Sequence, residues 1–593
     1  LSPNDAGGAL YTVLSPTEYA TYYAGQTPDE LGGAVTLANG NIAVLQPANN
    51  IINYAQFSVD LTGVVAADAS LVACHQFADD NDYSVVNHNG IVYWQTTEIE
   101  LNNPNDIDLT GTTIRMDVDS GTVTPTYSQP AMFTVKASAV PIVFDAAALT
   151  ELNTTHSQYF EKGSTKLPAS VFNQYTGDLI KITSSVLDVN RLGNPAQRSD
   201  KRESFTISKQ GYIDQYLTKS YQGVLVDLTV YPKEDSQFEF ELPKISLEGV
   251  ASFTLVKSYR SNVKFTGLVI DEKVAPLDSI REVIHILDSA NVFISDFDAL
   301  AQPNLGSGGS YSVTMAGVVN CSMERLRGNA GWGFTGCNYM REVTLRDSWI
   351  NRLDCHFGAY DISVYNNVFT DWGCLLSGGG TFRAHGNTYR VGRGPDVGVG
   401  QQIIGAFFQA RPDYGAEWDG DIIITDTTYQ IDSRLVGELS SAIFSVVELL
   451  ITNSTADYGR AMIHGRNITV KDTKFVLDGT TLTTYMENDN IEFIIVNNGD
   501  TRNTAQLHYW AHTVTVDGVT FSENPEKATV MAYNPPRYMS TSNRALVAAP
   551  AGTAYESYNT RIDIRNISVG SELFGNNDRS IKTALTGFSY NWS

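Results

Sequence analysis

The chain has 593 residues, with 40 Lys+Arg against 65 Asp+Glu and a formal net charge of −25. Apolar residues make up 42% and charged residues 18%, enough apolar material for a large core, which excludes a disordered chain. The acidic excess speaks against non-specific nucleic-acid binding, and the most apolar stretch, Ala442–Ile451, is too short for a membrane span and carries Glu448.

Residues 1–81 form an N-terminal region of Gly, Ala, Asn and short apolar runs, in which Pro16-Thr17-Glu18 is placed to open a short helix. Residues 82–240 read as a β-rich region, with alternation in Gly90–Trp94 and Thr113–Met116. An insertion-like piece lies between about 148 and 222, including Gly177–Ile182 and a charged loop at Arg198–Glu203. Five cysteines, none in a CxxC pair, are too few for a disulfide scaffold and are expected to be buried free thiols. No metal or cofactor motif is present: Gly378-Gly379-Gly380 reads as a tight corner, and no nucleotide loop accompanies it.

Within residues 241–593, the expected coil, a pattern returns from about residue 263 onward: apolar, any, apolar, any, then often Asp, Asn or Gly, and shortly afterwards another apolar residue. Clear copies are Val343-Thr-Leu345-Arg-Asp347, Ile362-Ser-Val364-Tyr-Asn366 and Phe382-Arg-Ala384-His-Gly386. Others include Ile468-Thr-Val470-Lys-Asp472, Val514-Thr-Val516-Asp-Gly518 and Ile562-Asp-Ile564-Arg-Asn566. Alternation makes a strand with one face inward, and Asp, Asn or Gly tolerates the left-handed bend that ends it. Strand, bend and strand at a steady period predict an all-β fold, a parallel β-helix.

The stacked, bent strands and the Tyr- and Gly-rich composition resemble bacteriophage tailspikes. That resemblance implies a homotrimeric right-handed parallel β-helix of the pectate-lyase-like kind, carried on the virion. It further implies recognition and cleavage of capsule, exopolysaccharide or O-antigen outside the host cell, with attachment to the phage tail or baseplate through an N-terminal segment. Calcium-binding aspartates of the pectate-lyase type are not seen.

The outward fourth positions of the repeat read Ser322, Arg346, Tyr365, His385, Thr425, Lys471, Asp517 and Arg565. Spaced about 4.8 Å apart, Arg346, Tyr365, His385 and the adjacent Arg383 make a ladder of donors and an aromatic face suited to a sugar chain. In the following strand, Cys355 and Cys374 align with Trp332, and Phe357 and Leu376 with Phe334. These residues are expected to point inward, together with Val364 and Leu345. Asp354 and His356 are then expected outward, with Arg352, Asp371 and Trp372 in the nearby bends.

Glycoside cleavage needs one carboxyl to protonate the leaving oxygen and a second to attack carbon or activate water. Asp354 and Asp371 are the first candidate pair, with His356 or Arg352 tuning them and Trp372 as a sugar platform. The same two aspartates also suit turn capping. Glu417, beside Trp418 in the long Gly392–Asp421 interval, and Glu324 are further candidates. A polysaccharide lyase using His356 or Tyr365 as base and Arg346 to neutralise a uronate, and a non-catalytic adhesin, fit the same groove.

Overall fold

The computed structural model describes residues 9–102, 105–116, 131–190, 198–248, 253–274, 281–299, 311–328 and 333–391. Beyond these it describes the segments 405–410, 418–431, 444–448, 465–477, 492–495, 513–518, 520–523, 545–548, 561–566, 568–569 and 589–592. The chain divides into two compact units. One comprises Leu1–Pro141, Tyr231–Thr314 and Ala330–Trp332; the other comprises Ile142–Val230, Met315–Asn329 and Gly333–Ser593.

In the first unit, three parallel ladders run side by side. One stacks Ile51–Ile52, Ser84–Val86, Ile107–Asp108, Phe238–Glu241, Val263–Thr266 and Ala290–Asp298. The second stacks Thr62–Ala66, Ile91–Trp94, Thr113–Met116, Lys244–Glu248 and Val269–Val274. The third stacks Ile99–Leu101, Ala131–Val135, Phe253–Ser258 and Arg281–Leu287. Parallel pairing therefore starts at Ile51, well before residue 241, where the repeat places it. The early strands are only two to five residues long, too short to show a period. Helix Asp68–Asn81, which alternation does not signal, buries Leu71, Cys74, His75 and Phe77. The short helix Pro16–Tyr22 forms as expected, closed by a capping box between Ser15 and Glu18.

The second unit is a right-handed parallel β-helix carrying an inserted domain. Its first ladder stacks Val343–Arg346, Ile362–Tyr365, Phe382–His385, Ile422–Thr425, Ile468–Lys471, Val514–Asp517 and Ile562–Arg565 in one unbroken register. Leu345, Val364, Ala384, Ile424, Val470 and Val516 fill its inner face. The bend residues Asp347, Asn366, Gly386, Asp426, Asp472, Gly518 and Asn566 all have positive φ, between 47° and 69°. The repeat's Asp/Asn/Gly position is thus the left-handed corner read from the sequence.

Immediately after the first five of these corners a small polar residue is buried: Ser348, Asn367, Asn387, Thr427 and Thr473. These side chains satisfy backbone groups from rung to rung. Asn367 Nδ2 donates to Leu345 O (3.0 Å), its Oδ1 accepts Ser348 N–H (3.0 Å), and Asn387 Oδ1 accepts Asn367 N–H (3.0 Å). A second ladder runs through Trp349–Ile350, Val368–Thr370, Thr388–Val391, Thr428–Ile431, Lys474–Leu477 and Thr520–Glu523. A third runs through Leu353–Cys355, Cys374–Leu376, Phe408–Ala410 and Phe444–Glu448.

The inserted domain, Ile142–Val230, has a four-stranded sheet ordered Ile142–Val143, Leu225–Tyr231, Leu179–Asn190, Arg198–Thr206, with both outer pairs antiparallel. Phe160, Leu167, Phe172, Ile180, Ile182, Phe205, Leu217 and Tyr221 form its core. Arg198–Glu203, expected as a loop, belongs to its edge strand and pairs with Leu179–Asn190. All five cysteines are buried and free. Burial pushes Cys321 up to about 12 and Cys337 and Cys374 upward as well, which leaves these thiols inert.

Candidate functional site: two faces of the second unit

The outward positions of the first ladder form the first face. Arg346, Tyr365, His385, Thr425, Lys471, Asp517 and Arg565 share one register. Arg346, Arg383, His385 and Arg565 are exposed, and His385 Nδ1 lies 2.9 Å from Thr425 Oγ1. The expected first member, Ser322, is replaced by Glu324. Arg327 pairs with Trp349, and Glu324 is clamped between the guanidinium groups of Arg325 and Arg346. The repeat copy at Val319–Met323 is shifted by two residues, so that Arg325 takes the left-handed corner (φ 54°).

Asp354 and His356 do not share an exposed face. Asp354 is fully buried and its Oδ2 sits 2.6 Å from Nη2 of Arg352, itself buried. Its backbone N–H donates to Thr335 Oγ1 (2.8 Å). His356 is partly exposed: Nδ1 lies 3.2 Å from Asn338 Oδ1 and Nε2 lies 4.0 Å from Asp354 Oδ2. Packing buries this position from both sides: Leu375, its ladder neighbour, and Thr335, its hydrogen-bond partner, are buried as well. Arg352 and Asp354 therefore neutralise one another inside the protein and present nothing to a sugar.

The register of this third ladder also differs from the sequence alignment. Leu353 pairs with Cys374 and Cys355 with Leu376, a two-residue offset that keeps Cys355, Cys374 and Leu376 inward. Phe357 is the exception. Gly358 bends the strand (φ 74°), and Phe357 turns to an edge-to-face contact with Tyr339 at 5.0 Å.

Trp418, expected on the sugar-binding surface, is a core residue. It is fully buried against Phe382 and Phe408, and its indole N–H donates to Asp421 O (3.2 Å). Asp371 and Trp372 lie in the strand Val368–His385, with side chains outside the described residues, and Glu417 lies outside them altogether.

The second face was not read from the sequence. It lies where the inserted domain meets the coil. Arg341, 3% exposed, reaches Glu203 Oε2 with Nη1 (3.4 Å) and approaches Asp361 Oδ2 with Nε (3.9 Å). The guanidinium also stacks on Tyr216 and Tyr360, 4.7 and 5.8 Å from the ring centroids. Glu203 accepts the backbone N–H and the hydroxyl of Thr218, both at 3.0 Å. Its carboxyl is raised above the usual range because burial outweighs these partners and Arg341. Glu342 Oε2 accepts from Gln215 Nε2 (2.6 Å), and Asp361 Oδ1 accepts Thr381 N–H (3.0 Å). Arg202 stacks on Tyr339, whose hydroxyl bonds Ser199 and donates to Asp200 O (3.1 Å); burial raises this phenol.

Glu342 and Asp361 each precede the first apolar residue of a repeat copy, and Arg341 and Val343 pair with Tyr360 and Ile362. Both have positive φ, 53° and 56°. The sequence signal was a recurring acidic residue one step before the motif, at the spacing of the coil. The partners Glu203, Gln215 and Tyr216 are too far along the chain for spacing to reveal them.

No protein-family model matches the chain, and no curated protein matches it. Among solved structures it is similar to the tailspike protein of Pseudomonas phage LKA1, at 12% identity and a TM-score of 0.44, over 87% of this chain and 81% of that one. It is also similar to a tailspike of an Acinetobacter baumannii bacteriophage, AP22, in complex with capsular saccharide (10% identity, TM-score 0.35, 86% and 77% covered). A tailspike mutant of E. coli bacteriophage HK620 in complex with a pentasaccharide gives 10% identity, TM-score 0.36, and 93% and 84% covered. The β-helix assignment stands on the chain's own ladders.

Proposed function

We propose that the protein is a homotrimeric phage tailspike that binds a bacterial surface polysaccharide and shortens it by endo-acting glycoside hydrolysis. The observation that carries this reading is the outward ladder on the first face. Arg346, Tyr365, His385, Thr425 and Lys471 repeat in register on a rigid sheet, so a polymer of repeating units meets repeating donors. Exposed Arg383 lies two positions from His385 on the same strand, and the basic members suit a chain that carries acidic groups. No helix among the described residues is long and apolar enough to cross a membrane.

The test is incubation with a panel of purified capsular, exo- and O-antigen polysaccharides, following chain length and new reducing ends. Chain shortening with reducing ends supports hydrolysis. Shortening with ultraviolet absorbance from an unsaturated sugar indicates a lyase, and tight binding without shortening indicates an adhesin.

A further inference from the structure

We infer that Asp361 and Glu342, at the junction of the inserted domain and the coil, are the carboxyl pair that cleaves the glycosidic bond, with retention at the anomeric carbon. This rests on the hydrolase reading above and places its chemistry on the second face, away from Asp354.

Arg341 and Val343 pair with Tyr360 and Ile362, so Glu342 and Asp361 stand on neighbouring rungs with backbones about 4.8 Å apart; retention requires their carboxyls to come within roughly 5–5.5 Å of one another. Both are only partly buried, and Asp361 is 29% exposed. They are held differently. Asp361 is fixed by the Thr381 N–H, while Glu342 is held at Oε2 by Gln215.

Two further observations point to a ligand. Arg341 is 3% exposed and directed at Asp361, yet its Nε and Nη2 meet no hydrogen-bond acceptor among the described residues. Buried guanidinium donors left unmatched are costly, and a sugar hydroxyl entering beside Asp361 is an acceptor of the right kind. Next to them, Gly380 has no side chain. A Cβ there would come within 2.4 Å of Asp361 Oδ1 and 3.0 Å of the Tyr216 hydroxyl, so only glycine lets carboxylate and aromatic ring converge this closely on the strand. Tyr216, partly exposed and stacked by Arg341, borders the same corner.

The first step forms a bond from an Asp361 carboxylate oxygen to the anomeric carbon and breaks the bond to the leaving oxygen, which takes the proton of Glu342. In the second, Glu342 takes a proton from water as the water oxygen attacks the same carbon. The ester breaks, and both carboxyls return to their starting forms.

The experiment uses the full chain and the polymer it shortens. Asp361→Asn and Glu342→Gln are each expected to lower turnover at least about a hundredfold, with melting temperature and polymer binding close to the parent. Azide added to Asp361→Ala should restore turnover and yield a glycosyl azide, a rescue that a merely structural carboxylate would not show. NMR of the fresh product should show the substrate's anomeric configuration. Cleavage by either isosteric variant within tenfold of the parent, or an inverted product, would overturn the assignment while leaving the hydrolase reading intact. A parent chain that shortens no polymer in the panel would overturn both.

Discussion

Glu203 and Arg341 lie 138 positions apart in the chain and meet at 3.4 Å with both side chains 4% exposed. The pair joins the edge strand of the inserted domain to the coil, and the guanidinium is further held between two tyrosine rings. Removing one charge strands the other in a buried setting. Arg341→Met is therefore expected to destabilise the second unit by about 3–5 kcal/mol, measured by urea unfolding. Glu203→Gln, which retains acceptor capacity for Thr218, should cost less.

Asn387 makes four bonds inside the coil: its Oδ1 accepts from the N–H and Nδ2 of Asn367, and its Nδ2 donates to Val364 O and His385 O. Replacement by Ala leaves several buried backbone groups unmatched at about 1–3 kcal/mol each. The expected outcome is a lowered melting temperature larger than that of Thr428→Ala at the next rung, read by circular dichroism.

Acid should weaken the first unit through His75. This imidazole is buried beside Tyr54 and Phe133, and burial lowers its pKa from 6.5 to about 3. Between those values the unfolded chain binds a proton that the folded one refuses. Stability is thus highest above pH 6.5 and falls as the pH drops toward 3. In His75→Phe the loss of melting temperature from pH 7 to pH 4.5 should be smaller than in the parent. At pH 7 the variant should be the less stable of the two, since the buried Tyr54 hydroxyl loses its hydrogen-bond partner.

Trp418 and Tyr365 should separate packing from recognition. Trp418→Ala empties a site in the aromatic core and is expected to cost about 3–5 kcal/mol. Tyr365→Ala, on the outward ladder, should leave the melting temperature nearly unchanged while weakening polymer binding, measured by calorimetry on the polysaccharide that the panel selects.

Where one motif position maps to one place on the coil, the sequence was readable. Leu345, Val364 and Ala384 inward, Arg346, Tyr365 and His385 outward, and Asp347, Asn366 and Gly386 at the corner follow from period-two alternation and the left-handed tolerance of those residue types. Legibility ended where burial comes from beyond the strand itself. Alternation put Asp354 on the face opposite Cys355 correctly, but it cannot tell that both faces of that ladder are covered. Nor can it show that Trp418 continues the core of Phe382. The junction of Glu203, Arg341 and Asp361 depends on a domain inserted more than a hundred residues upstream, and no local pattern carries that information.

The polar stack at the corners has a consequence for descent. Tyr365 and His385 are one turn apart after twenty positions and His385 and Thr425 after forty, yet corner and ladder stay aligned because Asn387 and Thr428 still bond across the longer interval. The frame is thus copied independently of what hangs between its rungs. A lineage is free to lengthen, exchange or erase an excursion at one rung while its neighbours keep their alignment. What such a lineage inherits is the pitch of the coil, and what drifts is whatever the coil shows to its surroundings.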